Sequence, residues 1–189
     1  MERIHENDVD CFLLQTKQIF APPPKRDKQP SEWRSFPEFS IWIPKLFQSA
    51  DKETADEIFW SENQPEILFL NPEQNTGITL QTLKEETSHA KALTIETIKQ
   101  LLENLDDRTV CYDMGQEENE IKVDWLEYKS FAIDGRVYNV LFLFNTGKEK
   151  MLGTFYCPFE EYGTWKPMIW DIMQTIKKSP SCVEKGLLY

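Results

Sequence analysis

Three apolar runs in series, followed by an amphipathic segment, occupy the second half of the sequence. The runs cover residues 121–130, 137–144 and 151–157, and Asp134-Gly135 and Asn145-Thr146-Gly147 separate them. Asp-Gly between apolar runs is a strong hairpin signal, because glycine accepts the positive φ of a tight turn. The second run is apolar on both of its alternating faces, as in an interior strand. The pattern predicts an antiparallel meander of three strands.

The first of these runs changes its alternation midway. Ile121, Val123 and Trp125 alternate, and the apolar positions then shift to Leu126 and Tyr128. A change of phase within one strand is typical of a β-bulge or a sharp bend. The pattern therefore predicts an irregularity near Trp125.

Residues 165–177 carry apolar side chains at three- and four-residue intervals, which predicts an amphipathic helix that covers the sheet. Thr164 is the predicted N-cap, and Pro167 is expected in the first turn, where its missing N–H costs little. Ser179-Pro180 is expected to end the helix. The predicted apolar stripe comprises Trp165, Met168, Ile169, Ile172, Met173 and Ile176.

Shorter strand signals precede the meander. Apolar or alternating segments at residues 39–43, 58–60, 67–70 and 78–83 predict strands, and Pro44 ends the first of them.

A second helix is predicted between those strands and the meander, with Thr94 as its N-cap. Its predicted buried stripe comprises Ile95, Ile98, Leu101, Leu102 and Leu105. The sequence therefore predicts an α+β fold, in which an antiparallel sheet of about six strands is flanked by helices in an α/β/α sandwich.

The predicted domain organisation has three parts. Residues 1–36 form an N-terminal proline-containing arm, residues 37–180 a single α/β domain, and residues 181–189 a C-terminal tail. The residue before each proline is driven into an extended conformation, so Pro22–Pro24 is expected to be extended. Two interpretations stay open: the arm docks in an aromatic groove of a partner, or it wraps its own domain.

The charge balance excludes one class of partner. The chain has 189 residues, 21 of them Lys or Arg and 32 Asp or Glu, and a formal net charge of −11. Nucleic-acid binding needs clustered Lys and Arg, so we expect no nucleic-acid partner. A protein partner, which can be basic, is compatible with the acidic charge. No apolar run is long enough to span a membrane, and the polar first residues are unlike a secretory signal, so we expect a cytoplasmic location.

The sequence gives little support to a catalytic or metal site. The four cysteines are scattered, without a C-x-x-C motif or a histidine at metal-ligand spacing, and no glycine-rich nucleotide-binding loop is present. We therefore expect no cofactor and no metal. The alternative is a hydrolase whose site forms only on folding, with His89 as base and Cys111 or Cys157 as nucleophile, or with a pair of carboxylates.

Two acidic segments are the candidate contact surface, together with one aromatic side chain. The segment from Asp113 to Glu120 is predicted as a charged hairpin loop, with the turn at Glu160-Glu161 beside it. Trp42 lies on the strand face opposite Ile41, and an exposed tryptophan there would anchor an interface. The candidate binding residues are Trp42, Asp113, Glu117, Glu118, Glu120, Glu160 and Glu161.

The order of the predicted elements resembles a known family. A strand ending in proline, Phe39-Ser-Ile-Trp-Ile-Pro44, is followed by a hairpin, a helix, a meander ending in Gly153-Thr-Phe-Tyr-Cys157, and a closing helix. This order is similar to the PsbP-like α/β/α sandwich, the group that includes the extrinsic PsbP subunit of photosystem II and the Ran-binding Mog proteins. The resemblance covers about residues 36–178 and implies a non-enzymatic module that works by binding other proteins. It assigns no binding residue to a position here.

Three functions follow as hypotheses. The first is a non-catalytic module that acts through protein–protein contact. The second is a dedicated immunity or chaperone protein for a secreted toxin or effector, since small acidic single-domain proteins suit that role. The third is the hydrolase described above. A tight one-to-one partner would separate the second from the first, and a pocket that holds convergent catalytic groups would favour the third.

Overall fold

A computed structural model describes residues 30–59, 64–71, 73, 75–83, 93–133 and 135–179. All elements below belong to the unit Ser31–Tyr189. The Pro22–Pro24 segment, the tail 181–189 and His89 lie outside the described residues.

The described part of the chain contains ten strands, three α-helices and one short 3-10 turn. The strands are β1 (Ser31–Ser35), β2 (Phe39–Pro44), β3 (Gln48–Ser49), β4 (Ile67–Asn71), β5 (Thr76–Leu83), β6 (Val110–Glu117), β7 (Val123–Phe131), β8 (Arg136–Asn145), β9 (Lys150–Pro158) and β10 (Lys177–Lys178). The helices are α1 (Lys52–Ile58), α2 (Ile95–Leu105) and α3 (Tyr162–Gln174), and the 3-10 turn covers Phe159–Glu161.

Two antiparallel sheets organise these elements. The larger has the strand order β3-β4-β5-β9-β8-β7-β6, and the smaller has the order β1-β2-β10. The α+β class and the meander β7-β8-β9 are confirmed, whereas the count of about six strands is corrected to seven in the larger sheet. Strand β1 lies within the segment 1–36 that the sequence assigns to the arm, and it pairs with β2 along its whole length. The domain division itself stays a prediction.

Strand β6 corrects the prediction of a charged loop from Asp113 to Glu120. Most of that segment pairs with β7, as the edge strand of the larger sheet. An edge strand has one hydrogen-bonding neighbour, and charged side chains are common there because they discourage further pairing. Strand β6 therefore lacks the run of apolar residues that identifies the inner strands in the sequence.

The strand predicted over residues 58–60 is also corrected. Ile58 is the last residue of helix α1 and does not lie in a strand.

The irregularity predicted near Trp125 lies in the neighbouring strand. Strand β7 pairs with β8 without interruption, whereas the register between β6 and β7 shifts between Cys111 and Asp113. The change of phase in β7 arises because both of its faces are covered: Trp125 lies on one face, and Leu126 lies on the other.

Helix α2 covers one face of the larger sheet. Thr94 caps it as predicted, because its side-chain oxygen accepts a hydrogen bond from the Thr97 N–H. Ile95 and Ile98 are buried in a cluster with Leu126, Tyr128, Leu141 and Leu143 of β7 and β8. Leu102 of the predicted stripe is partly buried against the same cluster, whereas Leu101 and Leu105 are exposed.

Helix α3 covers the opposite face. The buried residues Trp165, Ile169 and Ile172 confirm the predicted stripe. The helix begins at Tyr162, before the predicted N-cap Thr164, because the 3-10 turn leads directly into it. Pro167 consequently lies inside the helix and not in its first turn.

The smaller sheet lies on the same side as α3. The Trp42 backbone N–H donates to the Thr175 side-chain oxygen at 3.0 Å, just after the helix. The Phe39 ring of β2 packs edge-on against Phe144 of β8. The larger sheet therefore lies between α2 on one face and α3 with the smaller sheet on the other.

Candidate interaction surface

Two groups of the predicted acidic residues lie at opposite ends of α3, and Asp113 belongs to neither, because it lies four residues before Glu117 on β6. Glu117 accepts a hydrogen bond from the Gln174 side chain at 3.3 Å, at the last residue of the helix. Glu160 and Glu161 immediately precede its first residue. A helix of 13 residues is about 20 Å long. The structure therefore does not bring the two groups into one patch.

The group at the end of α3 is held by contacts to the helix and to β10. Glu120 accepts the Lys178 backbone N–H at 3.2 Å, and the Asn119 side-chain amide donates to the Met173 carbonyl at 3.5 Å. Glu118, which precedes Asn119, is exposed. These contacts position three carboxylates on one short segment that continues strand β6.

The group at the start of α3 is paired with groups of this chain. Glu160 forms an ion pair with Arg136 at 2.7 Å, and that guanidinium lowers the pKa of the Glu160 carboxyl. Glu161 accepts a hydrogen bond from the Trp165 indole N–H at 3.0 Å. Both carboxylates therefore make contacts within this chain, and their role in binding a partner stays a prediction.

We define the acidic edge as residues 110–120, which comprise β6 and the segment that follows it. Among the described residues, β6 pairs with β7 alone. Residues 109–121 include four acidic residues, Asp113, Glu117, Glu118 and Glu120, and no Lys or Arg. The acidic edge thus combines a strand with one open side and a run of negative charge.

The open side of β6 presents backbone groups as well as carboxylates. The Met114 backbone N–H donates to its neighbour's side chain, the Asp113 carboxylate, at 2.9 Å. Backbone N–H groups of successive strand residues point to opposite sides, so Gln116 presents its N–H to the same side as Met114. These backbone groups are available to an added strand once the Asp113 side chain moves away.

A tryptophan pair marks the outer face of the smaller sheet. Trp33 and Trp42 are opposite each other in the β1–β2 ladder. Trp33 is 48% exposed and Trp42 is half-buried. The Lys177 ammonium lies 3.8 Å from the centre of the Trp33 ring, a cation–π contact. Trp33 falls within the segment 1–36 that the sequence assigns to the arm, and only the pairing of β1 with β2 brings it beside Trp42.

A buried charged cluster lies between β7 and α3. The Glu127 carboxylate accepts hydrogen bonds from Lys166 on the helix and from the Tyr138 hydroxyl on β8. Lys129, two residues along the same face of β7, is also buried, and its ammonium lies 5.5 Å from the centre of the Phe159 ring. Buried charges are rare unless they are paired. Because Glu127 and Lys129 are charged residue types, the sequence does not indicate that this face of β7 is buried.

The described cysteines do not have the properties of nucleophiles. Burial raises the pKa of the half-buried Cys111 thiol to about 11, and it raises the pKa of the buried Cys157 thiol further. A nucleophilic thiol needs the opposite shift, because the thiolate is the reactive form. Within the described ranges, no three His, Cys, Asp or Glu side chains are placed to hold a metal ion. No helix in the described residues is long and apolar enough to cross a membrane.

Comparison with solved structures identifies the fold. Cyanobacterial PsbP (CyanoP) from Synechocystis aligns with a TM-score of 0.58 at 8% identity, over 85% of this chain and 99% of that one. The Ran-binding protein Mog1p of Saccharomyces cerevisiae aligns with a TM-score of 0.48 at 8% identity, over 79% and 95% of the two chains. Protein PA94 of Pseudomonas aeruginosa aligns at 0.43 with 10% identity, over 79% and 98%.

The chain has the PsbP-like fold, and the alignment with CyanoP confirms the resemblance that the sequence predicts at the level of fold. The other two scores are too low to add to it. No family model and no curated protein matches the sequence.

Proposed function

We propose that the protein is a non-catalytic module that binds another protein, and that the acidic edge is its contact surface. The observation that carries the proposal is the set of four acidic residues on strand β6, which has one open side, and on the segment that follows it. A partner with complementary positive charge would be attracted to this edge, oriented by it and released by salt. The partner is therefore expected to be basic.

The tryptophan pair extends this surface. Glu120 contacts the Lys178 backbone, and the adjacent Lys177 lies over Trp33, so β10 links the acidic edge to the tryptophan pair. Interfaces are enriched in tryptophan at the residues that contribute most to affinity. We propose Trp33 beside Trp42 as the apolar part of the contact, with the carboxylates as its charged part.

Affinity capture with matched charge variants tests this proposal. The test variant reverses the acidic edge: Glu117→Lys, Glu118→Lys and Glu120→Lys. The control carries the same change of charge at three exposed residues near the opposite side of the larger sheet: Glu53→Lys, Glu57→Lys and Glu73→Lys. The wild-type protein and the control should capture one dominant protein from a lysate of the source organism at low salt, and the test variant should lose it. Equal capture by all three would contradict the assignment of this surface.

The captured complex also separates the two protein-binding hypotheses. A tight complex of one partner with one copy of this chain favours a dedicated immunity or chaperone protein. Several partners, or one bound weakly, favour a general binding module. Size-exclusion chromatography with light scattering gives the stoichiometry directly.

A further inference from the structure

We propose that the partner binds by adding an extended, basic segment as a strand beside β6. This inference rests on the proposed function, because it specifies how the acidic edge holds a protein. In strand addition, backbone hydrogen bonds supply affinity and the flanking side chains supply specificity.

The backbone of β6 is prepared for such pairing over a short length. The Met114 N–H lies on the open side, and by alternation so does the Gln116 N–H. The register shift between Cys111 and Asp113 interrupts the regular ladder before this point. Regular strand geometry therefore runs over Asp113–Glu117, which limits the added strand to about five residues.

The other three edge strands are less suitable. Strand β3, at the opposite side of the larger sheet, and strand β10, in the smaller sheet, have only two residues each. Strand β1, at one side of the smaller sheet, carries Glu32 and Arg34, which form an ion pair with each other. Mixed charge that is already paired gives a weak preference for either sign of partner. Among the described edges, β6 alone combines length with charge of one sign.

The charge of the acidic edge selects the occupant. A second copy of this chain that paired through β6 would bring acidic residues opposite acidic residues, which is unfavourable in a sheet. Lysine or arginine at alternate positions of the added strand would instead face Asp113 and Glu117. The same charge that prevents edge-to-edge association of this protein would therefore favour a basic segment.

A short peptide of alternating lysine and threonine is the probe for the test. Its matched control has the same sequence with the backbone nitrogens of alternate residues methylated, which keeps the charge and removes hydrogen-bond donors on one side. We expect the unmodified peptide to bind the wild-type protein about tenfold more tightly than the methylated one, since several backbone hydrogen bonds are lost together. Amide proton resonances of Met114 and Gln116 should shift on binding and become protected from exchange.

The outcomes separate this inference from the proposed function. Equal binding of the two peptides, still abolished by reversal of Glu117, Glu118 and Glu120, would overturn strand addition while the acidic contact surface stands. Binding that survives the charge reversal would overturn both. Absence of peptide binding, or dimerisation of the protein through β6, would also overturn the added basic strand, and the capture experiment would then decide the proposed function by itself.

Discussion

Lys166 on helix α3 places its ammonium nitrogen 2.7 Å from both carboxylate oxygens of Glu127 on strand β7. The Glu127 side chain is 2% exposed and the Lys166 side chain 16%. The Tyr138 hydroxyl donates a further hydrogen bond to the same carboxylate at 2.9 Å. This pair joins helix α3 to strand β7 of the larger sheet.

Glu127→Gln should destabilise the protein, because it leaves the Lys166 ammonium without its counter-charge at a nearly buried site. We expect a loss of roughly 3 kcal/mol in the free energy of unfolding, measured by urea denaturation. The double variant Glu127→Gln with Lys166→Met should lose less than the sum of the two single variants, because it removes both charges.

The Arg136–Glu160 pair is the matched control for this prediction. Its nitrogen–oxygen distance is also 2.7 Å, but its side chains are 36% and 63% exposed. Glu160→Gln should therefore cost less than about 1 kcal/mol. Equal losses for Glu127→Gln and Glu160→Gln would show that burial does not govern the strength of these pairs.

Gly153→Ala should destabilise the sheet. A Cβ at residue 153 of β9 would overlap the ring of Phe142 on β8, which is buried and cannot move freely. Crowding of this kind typically costs roughly 1–3 kcal/mol, to be measured by thermal or urea denaturation. Gly163→Ala, in the first turn of α3 with open space around it, is the control. It should leave stability unchanged or raise it by about 0.5 kcal/mol.

The chain's thiols test the hydrolase hypothesis. In a variant with Cys11→Ser and Cys182→Ser, Cys111 and Cys157 should react slowly with a thiol reagent near neutral pH, because burial raises the pKa of both thiols. The same variant in denaturant should react at the rate of free cysteine. Fast reaction of Cys111 in the folded protein would revive the Cys–His alternative.

Alkaline pH should weaken the native state through Tyr138. Burial and the adjacent Glu127 carboxylate hold the pKa of its hydroxyl well above the ordinary value of 10.0. Above pH 10 the unfolded chain releases this proton and the folded chain keeps it, so the free energy of unfolding falls as pH rises. Tyr138→Phe should make that decline less steep, as measured by urea denaturation at a series of alkaline pH values. An identical decline in both proteins would contradict the assignment.

The elements with strong apolar periodicity could be predicted from sequence. The meander β7-β8-β9, the Thr94 cap of α2 and the stripe that contains Trp165 and Ile169 all follow from local spacing. In these elements the local pattern and the tertiary packing select the same residues.

The candidate surface was harder to predict, because its residues acquire their relationships only in the fold. Strand β6 appeared to be a loop, since the charged side chains of an edge strand do not alternate with apolar ones. Trp33 and Lys177 are far apart in sequence and meet through the pairing of β1, β2 and β10. Glutamate usually lies at the surface, so the sequence does not indicate that Glu127 is buried. Its burial is explained by the ion pair with Lys166 on α3.

The most direct test of the account is the affinity of the captured partner for three purified proteins at low and high salt. These are the wild-type protein, the Glu117→Lys, Glu118→Lys and Glu120→Lys variant, and the control reversed at Glu53, Glu57 and Glu73. We predict that the acidic-edge variant raises Kd about tenfold or more at low salt and binds with a weaker salt dependence, while the control stays close to the wild-type protein. The same Kd for all three proteins at low salt would contradict the claim that the acidic edge is the binding surface.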